Sequence, residues 1–488
     1  MPDLKRTVIL FNPRTMRGVG EDSIPPIGLL MSAIHLHEKF DVFIIDQRVE
    51  KNWRTRLENL LNKNPVCLGV SALTGKQIEW GLYASKMAKK HGCPVVWGGV
   101  HASLLPAQTL MHPFVDYVVQ GEGEETFAEL VEAIASNKSC EKILGVWCKK
   151  NGEPVFGGPR SFIDINKLPQ VPYHLIDVEK YIKTGPYGRT VVFFTSRGCP
   201  HQCTFCFNHT FNRSRWRSFS SERVLDDIRR IQREYPDVAH FEFWDDDFFV
   251  NLKRAREIAD GIKQLDPPIT WSVLGAHVRE LTLMDDAYLA TLRDSRLKGV
   301  IVGVESGSQK VIDIIQKNFK LEELFVANQR LGRFHIVPTY SFMSGIPEED
   351  DEDIKKSVEA MFRLKKDNPD AVVGNIKPFV CYPGTALHEK MKKQGFRPPE
   401  QLEGWTNYVW GNYLNLKVPW VSSRRRRFLC WLYYYTVLMN PSYIFIRSKF
   451  FTFIASMLRP IAEWRVKKFC FRFPIEARLM YLAQRFIL

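Results

Sequence analysis

The sequence predicts an α/β protein: an N-terminal doubly wound, Rossmann-like parallel sheet, then a partial (β/α)6 barrel, then a mostly helical basic module. Three observations predict it. Short apolar runs alternate with helical stretches from residue 8 to about 136 and again from about 189 to 400, the pattern of parallel sheets with crossover helices. Three cysteines, Cys199, Cys203 and Cys206, follow the first strand-like run of the second series, at the strand end where barrel sites collect. The net charge of +14 is lopsided: residues 424–488 carry thirteen Lys or Arg against two Glu, a net +11, which marks a basic module of its own.

The expected domains are 1–140, a connector 141–188, 189–400 and 401–488. A chain of 488 residues with 45% apolar content has ample material for cores of this number. Met1–Arg6 runs into the first strand with no long apolar segment or cleavage signal, and seven of the ten cysteines are scattered. A reducing cytoplasm is therefore expected, with a peripheral position on the inner membrane face as a further expectation from the basic tail.

In the first domain, 8–11, 42–45, 67–70, 94–97 and 117–119 read as strands, and 27–37, 53–61, 78–90 and 124–136 as helices. Ligands of such sheets bind at the carboxyl ends of the strands. Two Gly-bearing turns fall there, Ser71-Ala-Leu-Thr74-Gly75 and Gly98-Gly99-Val-His101. Ser71 and Thr74 offer hydroxyls, and Gly98 and Gly99 allow close backbone approach. No GxGxxG follows the first strand, so a nicotinamide site is not expected. The connector is rich in proline and carries one expected hairpin near 145–155.

In the barrel, strands are expected at 191–195, 241–244, 269–273, 299–304, 336–343 and 372–380, with helices between them. The cysteines are spaced CxxxCxxC, with Phe205 directly before the last. Three local thiolates can hold three irons of a cubane and leave the fourth open to a small molecule, whereas ordinary cluster sites use four cysteines. A zinc site with His201 or His209 as fourth ligand is the alternative. Asp245-Asp246-Asp247 after the second strand could bind Mg2+. Arg279 after the third strand could clamp a carboxylate or form a surface ion pair. Glu305 and Ser306 after the fourth could reach an amine or a hydroxyl, or sit in an exposed turn.

Arg197-Gly-Cys199-Pro, the aromatic Phe205 and the apolar run 191–194 together resemble the radical S-adenosylmethionine superfamily. The resemblance implies a 4Fe-4S cluster on Cys199, Cys203 and Cys206. It implies S-adenosylmethionine on the open iron, a 5′-deoxyadenosyl radical, and an external electron donor such as flavodoxin or ferredoxin. It places Asp246 and Asp247 toward the sulfonium's amine, and Gly345-Ile346 against its adenine. Ser71, Gly98-Gly99 and the segment Gly121-Glu122-Gly123 resemble the cobalamin-binding domain fused to such enzymes. Tyr382-Pro-Gly384-Thr385 is similar to a segment of the same branch. Cobalamin is thus implied, and the missing DxHxxG motif predicts no histidine below cobalt.

The function expected from the resemblance is C-methylation of an unactivated carbon on a small, apolar or lipid-like substrate. An oxidative cyclase of the anaerobic magnesium-protoporphyrin ester type is the alternative enzyme, and a non-catalytic cobalamin or cluster sensor the alternative of another class. RNA modification is disfavoured, since basic charge alone is a weak sign of nucleic-acid binding.

Residues 428–446 are 19 uncharged, aromatic-rich residues interrupted by Asn440-Pro441-Ser442. Two helices broken at Pro441 are expected rather than a membrane span. A cap over the barrel and contact with an anionic membrane surface both fit the interleaved basic and aromatic residues.

Overall fold

Five parallel strands build the first sheet: β1 (Thr7–Asn12), β2 (Asp41–Asp46), β3 (Leu68–Ser71), β4 (Val95–Gly98) and β5 (Tyr117–Val119), in the order β2-β1-β3-β4-β5. The structure is a computed structural model that describes residues 5–15, 24–440 and 449–487. β1 shows why the sheet forms. Its side chains alternate between two cores, with Ile9 and Phe11 in one and Val8 and Leu10 in the other, as a strand buried on both faces requires. Phe11 meets Trp53 of the helix Trp53–Leu61 at 5.2 Å between ring centroids.

The hairpin expected in the connector is present as β6 (Val146–Lys150) and β7 (Glu153–Phe156), and it extends this sheet in antiparallel fashion. The chain divides into two units, and the first holds residues 1–181 together with 382–384 and 388–409. Segment 388–409 therefore lies with this unit. The reason is burial: Leu402 and Trp405 join the first core, and the Trp405 indole N–H donates to Gln108 at 2.8 Å.

The second unit carries β8 (Lys183–Gly185), β9 (Gly188–Phe193), β10 (Ser196–Arg197), β11 (Arg217–Ser218), β12 (Val238–Phe243), β13 (Thr270–Ala276), β14 (Leu297–Glu305), β15 (Val337–Ser344) and β16 (Val372–Pro378). β9 and β12 to β16 lie side by side in chain order, all parallel, with β8 antiparallel on the β9 edge. This is the six-stranded partial barrel. Helices follow the strands and start at polar caps. Ser220, Asn251, Asp285 and Asp350 each accept a backbone N–H of the first turn, satisfying donors the helix itself leaves open.

At the C-terminal end, the helix Ser423–Met439 stops before Pro441, and residues 441–448 lie outside the described residues. It packs on β16, whose Ile376 N–H donates to Thr436 Oγ1 at 3.1 Å. Helices Lys449–Lys467 and Ile475–Ile487 follow. Among the described residues no helix is long and apolar enough to cross a membrane.

Candidate active site

The cysteine loop is clasped at its base. β10 and β11 pair as Ser196 with Ser218 and Arg197 with Arg217, so residues 198–216 leave and return at one point. Gly198 has φ +80°, and a Cβ there would stand 2.1 Å from the Arg215 carbonyl oxygen, so only glycine fits. Within the loop, Cys206 N–H donates to Cys203 C=O at 3.0 Å. Thr204 ties it to the barrel, donating to Ile315 C=O at 3.0 Å and accepting from Leu387 N–H at 2.8 Å.

None of the three cysteines is in a disulfide; Cys203 is buried, and Cys199 and Cys206 are half-buried. Burial pushes all three thiols up, Cys206 to about 11. Thiolates here therefore need compensating positive charge. Lys317 supplies one: its ammonium is buried, 3.5 Å from Glu305 and 6.0 Å from the Phe205 ring. Burial alone would lower it, but Glu305 and then the three cysteines hold it above its ordinary value. A buried cation facing a thiol trio matches a cluster whose thiolates leave net negative charge.

Two sets of ligand atoms fall within 4.8 Å of one another among the described residues, Cys199–His201–Asp247 and His201–His277–Glu280. The three cysteine sulfurs do not all fall within 4.8 Å of one another. His209, the other candidate fourth zinc ligand, accepts the Ala386 N–H at 3.1 Å.

The three aspartates after β12 diverge, so they do not form the Mg2+ ligand set that their adjacency suggested. Asp245 is buried and accepts from Thr195, from the backbone N–H at 2.6 Å and from the hydroxyl. Asp246 is exposed and accepts the Gly198 N–H at 2.9 Å, which puts its carboxylate at the rim of the cysteine loop. Asp247 is buried and turned to His201, at 3.2 Å. Arg254 braces the base, donating to Thr195 C=O at 2.9 Å and Phe219 C=O at 2.7 Å.

Within the loop, His201 lies flat on His277, with ring centroids 3.8 Å apart at 16°. Glu280 reaches both, at 3.0 Å from His201 and 3.4 Å from His277. Burial would lower His201, but its hydrogen bonds to Asp247 and Glu280 outweigh that and raise it to about 9. Burial lowers His277 to about 4. Glu280 is held low by the two histidines against the effect of its burial, and burial pushes Asp247 up. His201 is the positive member of the group.

The remaining predicted residues divide. Glu305 ends β14 with φ +69°, and its side chain turns to Lys317. Ser306 is buried in a hydroxyl network, 3.1 Å from Ser357 Oγ and accepting the Ser308 N–H at 3.1 Å. Arg279 is exposed on the outer face of the helix Val278–Leu283, whose buried positions belong to Val278, Glu280 and Leu281; it does not join the group at the loop. Gly345 has φ +91°, and its carbonyl accepts the Trp420 indole N–H at 3.1 Å; Ile346 is buried beside it.

In the first unit, Ser71 and Gly98 end neighbouring strands and pair directly. A Cβ on Gly99 would stand 2.8 Å from Ser71 Oγ and 2.9 Å from Ala72 N, so this glycine lets two loops touch. The open surface is at Gly98, whose nearest neighbour would be 3.8 Å away, and at Gly121, with nothing within 4 Å. These bare tips of β4 and β5 fit the tail of a large cofactor. Thr74 Oγ1 lies 2.9 Å from Nδ1 of the buried His101, whose Nε2 has no hydrogen-bond partner among the described residues and which burial lowers to about 4. Glu122 accepts the Ile163 N–H at 3.3 Å.

Sequence reasoning did not assign His277, Glu280, Lys317, Arg254 or His101. The only available signal was the spacing of His277 and Glu280, three apart at a strand end. Lys317 sits in an ordinary polar turn of the sequence.

Two family sequence models match the chain: the radical SAM superfamily over residues 193–361 and the B12 binding domain over residues 13–131. An uncharacterised methyltransferase of Pyrococcus horikoshii is 31% identical over 371 residues, covering 75% of this chain and 78% of the relative. An anaerobic magnesium-protoporphyrin IX monomethyl ester cyclase of Rubrivivax gelatinosus is 25% identical over 307 residues, covering 61% of this chain and 53% of that protein. Thus the chain spans most of the first relative and about half of the second. Among solved structures, the cobalamin-dependent S-adenosylmethionine radical enzyme OxsB, with aqua-cobalamin and S-adenosylmethionine bound, shares the fold at a TM-score of 0.75 and 16% identity, over 99% of this chain and 75% of its own.

Proposed function

The chain belongs to the radical S-adenosylmethionine superfamily, in the branch that carries a B12-binding domain, and on that ground we propose that it transfers a methyl group to an unactivated carbon of a small, apolar molecule. Its cofactors are a 4Fe-4S cluster, S-adenosylmethionine and cobalamin. Bound together, these supply a means of removing hydrogen from carbon and a methyl donor.

The observation that carries the reading is the three-cysteine loop, clasped at a parallel strand end, in a chain that also presents bare glycines at the strand tips of a B12-binding sheet. Cys199, Cys203 and Cys206 would hold three irons. Lys317 balances their charge from below. Asp246, exposed at the loop rim and anchored by Gly198 N–H, would accept from a ligand amine. Glu305, steered by Lys317, offers a second acceptor. Gly345 and Ile346 would meet a purine through backbone alone, since Ile346 is buried and Tyr413 and Leu429 crowd the Gly345 Cα. Ser71, Gly98 and Gly121 line the route for a nucleotide tail. Asp247, His201, His277 and Glu280 hold the loop in one position.

The P. horikoshii relative's description as a methyltransferase supports methyl transfer over cyclisation. A small-molecule substrate and an external one-electron donor follow from the chemistry. Contact with an anionic membrane, the other partner expected from the sequence, does not follow from it; its support lies in the C-terminal helices.

The test has two parts. Anaerobically reconstituted protein, given S-adenosylmethionine, cobalamin and a reductant, should form 5′-deoxyadenosine. Extracts of cells with and without the gene should differ by one molecule class heavier by CH2 in the former. An oxidised, ring-closed class without the added CH2 would instead favour the cyclase. No 5′-deoxyadenosine at full cluster loading would favour the sensor.

A further inference from the structure

The last two helices bury their small side chains and expose their large apolar ones. In Lys449–Lys467, Ala455, Ala462 and Val466 are buried. On the opposite face Phe453, Met457, Ile461 and Trp464 are 43% to 64% exposed, at the i, i+4, i+8, i+11 spacing of one helical stripe. The helix Ile475–Ile487 repeats this: Ala477 is buried, and Ile475, Leu479 and Leu482 are exposed. Phe473, in the link between them, is 81% exposed. Eight of the fifteen exposed large apolar side chains among the described residues fall within 453–482. That is a local patch, beyond the single exposed apolar residues every surface shows.

The charge around the patch is positive. Arg459 pairs with Glu463 and Arg465 with Glu476. Lys467, Lys468, Arg472 and Arg478 are exposed, and among the described residues no carboxylate stands within ion-pair distance of them. Next to the patch lies a groove of about 710 Å³ lined by Arg424, Arg425, Arg427 and Arg472, with Phe428 and Trp431. Its one carboxylate, Asp351, is taken by Arg425 at 2.8 Å. Groove and patch are continuous: Arg472 precedes Phe473, and Arg478 lies over the Trp431 ring at 5.9 Å.

We propose that this face is a docking surface for an anionic phospholipid bilayer. The apolar stripes enter the boundary between headgroups and acyl chains, the flanking Lys467, Lys468 and Arg478 reach out to the headgroups, and the arginine groove takes lipid phosphates. The helices lie in the plane of the interface, since none described can span. Nucleic acid would use the cations and leave the aliphatic stripes in water. A second copy meeting this one about a two-fold axis would set the same positive patch against itself. The surface stands independently of the methyl-transfer reading, because binding is read without turnover.

Flotation of the full-length, cluster-loaded protein with vesicles tests it. Phosphatidylcholine vesicles containing phosphatidylglycerol should carry the protein, and phosphatidylcholine alone should carry much less. The outward triple variant Phe453→Ser/Met457→Ser/Trp464→Ser should lower partitioning by about ten-fold, with circular dichroism and iron content unchanged. Arg424→Gln/Arg427→Gln/Arg472→Gln should abolish the preference for phosphatidylglycerol. Failure of the unmodified protein to float with anionic vesicles would overturn the proposal. So would equal flotation of the triple variant, or a lipid-free dimer in sedimentation velocity that the triple variant dissolves.

Discussion

Asp245 accepts two hydrogen bonds from Thr195, one from the backbone N–H at 2.6 Å and one from the hydroxyl. This joins the tip of β12 to the residue just before the clasp of the cysteine loop. The loop is therefore aimed by the neighbouring strand, and the most conspicuous acid of the Asp245-Asp246-Asp247 run is structural.

Asp245→Ala should loosen the loop. It strips buried donors on Thr195 of their acceptor, a loss of about 1–3 kcal/mol. The expected outcome is a lower melting temperature together with poor iron retention. Asp246→Asn, at an exposed position, should leave both unchanged and weaken S-adenosylmethionine binding, read by equilibrium dialysis.

Single Ala substitutions at Cys199, Cys203 or Cys206 should each remove most of the iron and sulfide from anaerobically purified protein. Cys430→Ala, at a buried site in the helix Ser423–Met439, should retain the full cluster. Metal analysis with the visible absorption spectrum checks both.

Much of this architecture was legible because parallel strands buried on both faces write continuous apolar runs, as in 8–11 and 191–194. The cysteine loop was legible because its ligands are neighbours in sequence. What stayed hidden depends on distant pairing. Lys317 and Glu305 meet only once the turn after β14 folds back, and His201 meets His277 across two strands. The return of Leu402 and Trp405 to the first core carries no local signal. The touch of Gly99 on the Ser71 loop likewise depends on two strands far apart in sequence lying side by side.

Lys317→Met should lower the reduction potential of the cluster. A buried positive charge favours the more negative, reduced state, and methionine keeps the length of the side chain without the charge. Spectroelectrochemical titration should show the shift, with iron content maintained.

Glu349 is buried and takes hydrogen bonds from Ser344 Oγ at 2.8 Å and from Gly345 N–H. Burial raises it to about 7. The folded state thus binds this proton more tightly than the unfolded chain does. Its contribution to stability is complete below about pH 4.5 and is lost as pH rises through 7, on the order of 3 kcal/mol in all. Glu349→Gln should flatten that part of the stability–pH curve and stabilise the protein at pH above 7, as measured by denaturant unfolding.

With three cysteines as its only protein ligands, the proposed 4Fe-4S cluster keeps one iron free for the sulfonium. Electron paramagnetic resonance of the reduced, anaerobically isolated protein, with and without S-adenosylmethionine, tests it most directly. A 4Fe-4S signal should appear, change shape when S-adenosylmethionine is added, and be absent in the Cys203→Ala variant. Stoichiometric zinc in place of iron, or a cluster signal indifferent to S-adenosylmethionine, would contradict it.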